Sequence, residues 1–279
     1  MPHTLDVHHL RIGFVSTRFA GTDGVSLETE KWAAVLERLG HACFYFAGLS
    51  DRPADRSYVV PNAFFHHPEM EVLHERAFNR CIRPRDLTAA MMDYKQHFKD
   101  HLARFVKEYE IDLLIAENAL SIPVNIPLGL ALAELLAETG CPVIAHHHDM
   151  YWERQRFLVN CVWDYLTMAF PPAFPSIKHV VINSVAGQQL SHRTGVSSRV
   201  IPNVMDFETP PPPPDDYAKS LRADLGLAAE EKLILQPTRV VQRKGIEHAI
   251  ELVSRLELPA RLVISHAAGD EGREYEQRV

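Results

Sequence analysis

The chain has 279 residues, 46% hydrophobic and 23% charged, with 13 Gly and 19 Pro. Those values are ordinary for soluble globular protein and exclude disorder, collagen or coiled coil as a description of the whole. The formal net charge of -7 argues against general affinity for polyanions, so no nucleic-acid role is expected and membrane contact is at most peripheral.

The length suggests about two domains. Met1 to Leu10 is polar and His-rich, unlike a signal peptide. Arg11–Ser16 is a short apolar run of strand character, followed by a loop containing Gly21-Thr-Asp-Gly24. Val25, Trp32, Val35, Leu36 and Leu39 recur at helical spacing, with Gly40 placed to end the helix. His41–Phe46 reads as a second strand, whereas Asp51 to Arg85 has no clear period and reads as an excursion or lid. Phe98, Leu102, Phe105, Val106 and Tyr109 form an apolar helical stripe flanked by lysines and an arginine. Such a stripe packs on a sheet or lies on a membrane.

Strand and helix then alternate: Asp112–Ala116, helix Leu128–Thr139, Pro142–His146, His179–Asn183 and Arg199–Ile201. That alternation predicts an α/β fold, a parallel sheet with helices on both faces. Five consecutive prolines, Pro210 to Pro214, mark a stiff boundary. Beyond it come helix Tyr217–Leu225, strand Lys232–Gln236, helix Gly245–Leu256 and strand Ala260–Ile264, with a charged run Asp270–Arg278 opening another helix. The predicted domains are residues 1–205 and a partial α/β domain at 206–279, because two strands are too few to bury both faces of a doubly wound sheet.

No run of ~18 apolar residues offers a membrane span. Cys43, Cys81, Cys141 and Cys161 are far apart without C-x-x-C spacing, which fits a reducing, cytoplasmic compartment.

Four places carry candidate chemistry. The Gly21–Gly24 loop precedes a helix, where backbone N–H groups can meet a phosphate, although it is equally readable as a flexible turn. His146-His147-His148-Asp149 ends a strand; alternation puts His146 and His148 on one side, open to a polar ligand, a metal or a purely structural role. Tyr151-Trp-Glu-Arg154 mixes an aromatic platform with a carboxylate and a guanidinium, as sugar sites and ordinary helix starts both do. Thr238-Arg239 with Lys244-Gly245 lies between a strand and a helix, where two cations can neutralise a diphosphate; a solvated basic loop is the bland alternative. Neither G-x-G-x-x-G nor the P-loop pattern occurs, which disfavours an NAD-dependent dehydrogenase.

Taken together the chain resembles the GT4-type retaining glycosyltransferases of the GT-B fold. The resemblance rests on Gly21–Gly24 with Leu39-Gly-His41, His148-Asp149, Val181-Ile-Asn-Ser184, Ile201-Pro-Asn203, and Arg239 with Lys244-Gly245. It implies two Rossmann-like domains, an N-terminal acceptor-side domain and a donor-nucleotide-binding one. It also implies transfer of a hexosyl group from a nucleotide-sugar to a sugar, sugar-phosphate or lipid-linked acceptor, without a metal or other cofactor. Carried onto this sequence, His148 is the catalytic residue, Arg239, Lys244 and Gly24 bind the donor phosphates, and Asp149 and Arg154 meet the acceptor. Two departures stand out: Asp23-Gly24 replaces paired glycines, and Val204 follows Asn203 where glycine is usual. The family's E-x7-E carboxylates have no counterpart after Lys244, so the chain is expected to be a truncated enzyme of little activity. The alternative is a non-catalytic sugar- or acceptor-binding module.

Overall fold

The computed structural model describes residues 9–207, 209–268 and 274–279. The polar segment 1–8 and the start of the charged run, 270–273, lie outside the described residues. The chain forms two compact units, Met1–Met205 and Asp206–Val279.

The first unit contains β1 (Arg11–Val15), β2 (Arg18–Phe19), α1 (Gly24–Arg38), β3 (Ala42–Ala47), β4 (Leu49–Ser50) and β5 (Ser57–Val59). It continues through α2 (Pro68–Ala77), α3 (Arg85–Glu108), β6 (Leu113–Glu117), α4 (Ile126–Thr139) and β7 (Val143–His147). It closes with α5 (Trp163–Ala169), β8 (Ile177–Val181), α6 (Ser184–Thr194) and β9 (Ser198–Val200). Seven of these strands make one parallel sheet in the order β5-β3-β1-β6-β7-β8-β9, and β2 and β4 pair separately. The expected parallel α/β sheet is therefore what the chain forms.

Strand alternation assigns the two faces. Ile12, Phe14, Cys43 and Tyr45 pack in one buried cluster, whereas Val15, Phe44 and Phe46 join the larger one with α3 and α4. Gly13 belongs to the second face, where a Cβ would stand 2.8 Å from the Phe105 ring; its absence lets α3 lie close on β1. Phe98, Leu102 and Phe105 are fully buried, so the helical stripe packs on the sheet. The adjoining Lys95 and Lys99 reach across to Glu134 at 2.5 and 2.6 Å. Among the described residues no helix is long and apolar enough to cross a membrane.

Residues 51–85, unreadable by period, are neither excursion nor lid. They supply edge strand β5, only three residues long, and α2, which buries Met70, Leu73 and Ala77. Helix ends follow local chemistry: Asp23, Asn125 and Asn183 cap α1, α4 and α6 with side-chain oxygens. Of the four cysteines, Cys43 is buried, Cys141 and Cys161 are half-buried, and Cys81 is exposed.

The second unit holds α7 (Asp216–Asp224), β10 (Lys232–Arg239), α8 (Ile246–Ser254), β11 (Ala260–His266) and α9 (Glu274–Arg278). Its two strands pair in parallel, with a register shift between Gln236 and Arg239. Buried apolar residues among those described are Val240, Val241, Ile246 and Ala268, while Leu235 and Leu252 are 54% and 58% exposed.

Candidate functional site

In the seven-stranded sheet the connection reverses direction between β1 and β6: successive strands run outward from β1 to β5, then resume on the other side with β6. Open parallel sheets bind ligands at the carboxyl ends of the strands beside such a reversal. Here the reversal is framed by the loop after β1, by Glu117 and Asn118 after β6, and by His146–Asp149 after β7. Ser16 Oγ donates to the Glu117 carbonyl at 3.0 Å, tying the first two of these ends together.

Glu117 is the centre of the cluster. It is the last residue of an apolar strand and is fully buried, yet both neighbouring histidines on its side reach it. His146 Nδ1 lies 3.0 Å from Oε2, and His148 Nε2 lies 2.9 Å from the same oxygen. Burial pushes the Glu117 carboxyl up, but the two histidine hydrogen bonds outweigh it and hold the group below the ordinary glutamate value. Trp32 of α1 stacks on His146 with ring centroids 4.4 Å apart. Asn118, in the left-handed region at φ 56, accepts from the His148 backbone N–H at 2.8 Å and fixes the turn out of β7. His147 points to the opposite face, where its Nε2 meets His179 Nδ1 at 2.9 Å. Burial drives both imidazoles toward the neutral form, His179 to about 4 and His147 well down.

The alternation argument thus placed His146 and His148 correctly on one side. Sequence reasoning missed Glu117; its signal is a carboxylate in phase at the end of an apolar strand, beside the strand that bears the histidines. Asn203 belongs to one of the motifs quoted for the family, but its location is new: its Nδ2 is 3.4 Å from His148 Nδ1. The remaining edge of His148 is only slightly exposed, its side chain retaining 7% accessibility.

Gly24 is exposed at the first position of α1, with open space where a Cβ would be. The neighbouring Val25 and Ser26 amides are already taken by Asp23 Oδ1 at 3.2 and 3.3 Å, and Asp23 also pairs with Arg18 at 3.1 Å. Asp149 and Arg154 are brought together directly, as an ion pair of 2.6 Å. The aromatic platform is engaged internally: Trp152 Nε1 donates to Gln189 at 2.8 Å and Glu153 accepts from the Met150 amide at 2.8 Å.

In the second unit Arg239 ends β10 half-buried, and Lys244 is exposed at the end of a single 3-10 turn, Gln242–Lys244. Gly245, at φ 60, turns the chain into α8. Lys244 thus lies in the loop after β10, as expected, whereas the strand runs three residues past Gln236 and takes in Arg239 as its last residue. The first amide of α8, that of Ile246, donates to the Tyr275 hydroxyl at 3.0 Å, and that hydroxyl donates to Glu247.

Glu117, His146 and His148 are also the group among the described residues whose ligand atoms, within 4.8 Å of one another, have the composition of a metal site. Each of those atoms is committed to a hydrogen bond inside the cluster, and the outward His146 Nε2 has no buried acceptor of the kind that ligating histidines use. The donor set therefore fits a buried carboxylate hydrogen-bonded by two imidazoles better than a cation site.

No family model matches the chain. It is 31% identical over 249 residues to the mannosylglucosylglycerate synthase of Petrotoga mobilis, a match covering 88% of this chain and 57% of that protein. It is 33% identical over 251 residues to the mannosylglucosylglycerate synthase of Thermotoga maritima, with the same two coverages. The chain thus spans somewhat over half the length of these curated relatives. A match of this extent includes His148, Arg239 and Lys244 wherever it begins. Among solved structures, a glycosyltransferase from Rickettsia africae superposes with a TM-score of 0.59 at 13% identity, covering 96% of this chain and 63% of that one, which supports the fold alone. The chain is a homologue of glycosyltransferases with a GT-B-like fold, as its motifs implied.

Proposed function

Proceeding from that homology, we propose that the chain acts in transferring a hexosyl group from a nucleotide-sugar to an acceptor hydroxyl, with retention of anomeric configuration. The observation that carries the reading is the match to two sugar-transferring synthases across both the His148 strand end and the Arg239–Lys244 loop. In this reading Arg239 and Lys244 neutralise the donor diphosphate and the charge that develops on the departing nucleotide. Their fixed positive charge supplies what a metal ion otherwise would, so no metal is required. The Gly24 backbone, lacking a side chain, lets a phosphate or sugar come close. His148 hydrogen-bonds the donor sugar near the reacting carbon. Asp149 and Arg154 contact the acceptor, which attacks from the face the nucleotide leaves.

The names of the relatives make a hydrophilic sugar–glycerate the acceptor class to try first. Calorimetry with GDP-, UDP- and ADP-sugars tests the donor assignment. One of them is expected to bind, with Arg239→Ala and Lys244→Ala each weakening binding by roughly tenfold or more, the cost of one charge-assisted contact. Affinity unchanged in both variants removes the phosphate assignment. No binding of any nucleotide-sugar removes the donor reading itself.

A further inference from the structure

Glu117 is a fully buried carboxylate one strand away from His148, touching it directly. An ionised carboxylate has acceptors only. Its two imidazole neighbours must therefore both present N–H groups: His146 through Nδ1 and His148 through Nε2, at 3.0 and 2.9 Å. The other nitrogens then carry lone pairs. For His146 this is a buried Nε2 with no partner, where a proton would be an unpaired donor. For His148 it is Nδ1, which faces the Asn203 carboxamide nitrogen, itself a donor, at 3.4 Å. The surroundings on both sides thus agree on one tautomer. The backbone is held as well: the His148 amide is bound by Asn118 Oδ1 at 2.8 Å, and Trp32 closes the far side of His146 at 4.4 Å.

We propose that Glu117 is a positioning residue that locks His148 in the Nε2–H tautomer, so that Nδ1 meets the ligand as a hydrogen-bond acceptor. The group it takes is a donor hydroxyl, such as a sugar hydroxyl, and not a phosphate or carboxylate oxygen, which Nδ1 would repel. This rests on the reading of His148 as a sugar contact, but the tautomer itself does not. His147, one residue earlier, cannot substitute, because its side chain lies on the opposite face against His179.

The experiment is nitrogen NMR of the whole chain labelled at its histidines, with His148 assigned by the signal lost in His148→Asn. In the wild type at neutral pH, His148 is expected to show a protonated Nε2 and an unprotonated Nδ1. A protonated Nδ1, alone or together with Nε2, overturns the proposal without any variant being needed. In Glu117→Leu the acceptor is gone, so His148 is expected to lose its fixed tautomer and show protonation at Nδ1 as well as at Nε2, while Glu117→Asp keeps an acceptor-only group and the wild-type pattern for His148. An unchanged His148 pattern in Glu117→Leu, with a folded spectrum, also overturns it. A parallel titration separates the two readings. Glu117→Leu is expected to weaken nucleotide-sugar binding about tenfold and leave nucleoside diphosphate binding unchanged. Equal weakening of both ligands counts against the hydroxyl role. If the wild type binds neither ligand, the donor reading fails while the tautomer stands or falls on the spectrum.

Discussion

The two units are built from the same alternation of strand and helix, yet they differ in what that alternation buries. In the first, seven parallel strands present both faces to helices, and Phe14, Phe46, Phe98 and Phe105 are fully enclosed. In the second, two strands and their helices enclose Val240, Val241, Ile246 and Ala268 among the described residues, and Leu235 stays 54% exposed. A parallel sheet gains its stability by covering two faces, so the count of strands, more than their composition, separates the units. The candidate chemistry divides along the same line. His148 sits at the end of a buried strand, whereas Arg239 ends a lightly packed strand and Lys244 lies on the loop after it.

The contrast can be broken most sharply in the cores. Phe105→Ala removes a ring packed against β1 and β3 and is expected to cost about 3–5 kcal/mol, whereas Leu235→Ala should cost under about 1 kcal/mol because half of that side chain is already in water. Urea unfolding followed by circular dichroism measures both; comparable losses would mean that the second unit hides a core of its own. A smaller effect separates the units by pH. His74 and His179, both in the first unit, are held near 4 by burial, against an ordinary value of 6.5. The native state keeps them neutral while the unfolded chain takes up protons, so their contribution is complete above pH 6.5 and is lost as pH falls toward 4. Each is worth on the order of 1–3 kcal/mol. Thermal melts at pH 7.5 and 4.5 should show the drop in the first unit, and a pH-independent midpoint there would contradict the buried neutral imidazoles. The smallest effect lies at helix starts. Asp23→Ala removes a cap that also pairs with Arg18 and is expected to cost about 1–2 kcal/mol, against about 0.5–1 kcal/mol for Asp215→Ala, which caps α7 in the open. Equal costs would show that the first cap gains nothing from its partner.

Much of this was legible in advance. Apolar runs such as Arg11–Ser16 and Pro142–His146 announced buried parallel strands, and Gly40 marked the end of the first helix. Residues 51–85 were opaque because β5 is three residues long and its strand character comes from pairing with β3, not from its own composition. The histidine side was readable from period-two alternation, but its partner was not. Glu117 and His148 are 31 residues apart, and only the order of β6 beside β7 brings them together. Propensity speaks of neighbours in sequence, whereas a site at a sheet reversal is made of neighbours across strands.

The stacking of Trp32 on His146 also gives the molecule an optical handle. Indole emission responds to the contacts and polarity around the ring, so that of Trp32 depends on whether its stack on His146, with centroids 4.4 Å apart, persists. The chain has three tryptophans, and Trp152 and Trp163 make no such contact with a histidine. A ligand that moves the β7 strand end therefore changes the emission of one indole in particular, and Trp32→Phe removes that signal while leaving the other two in place.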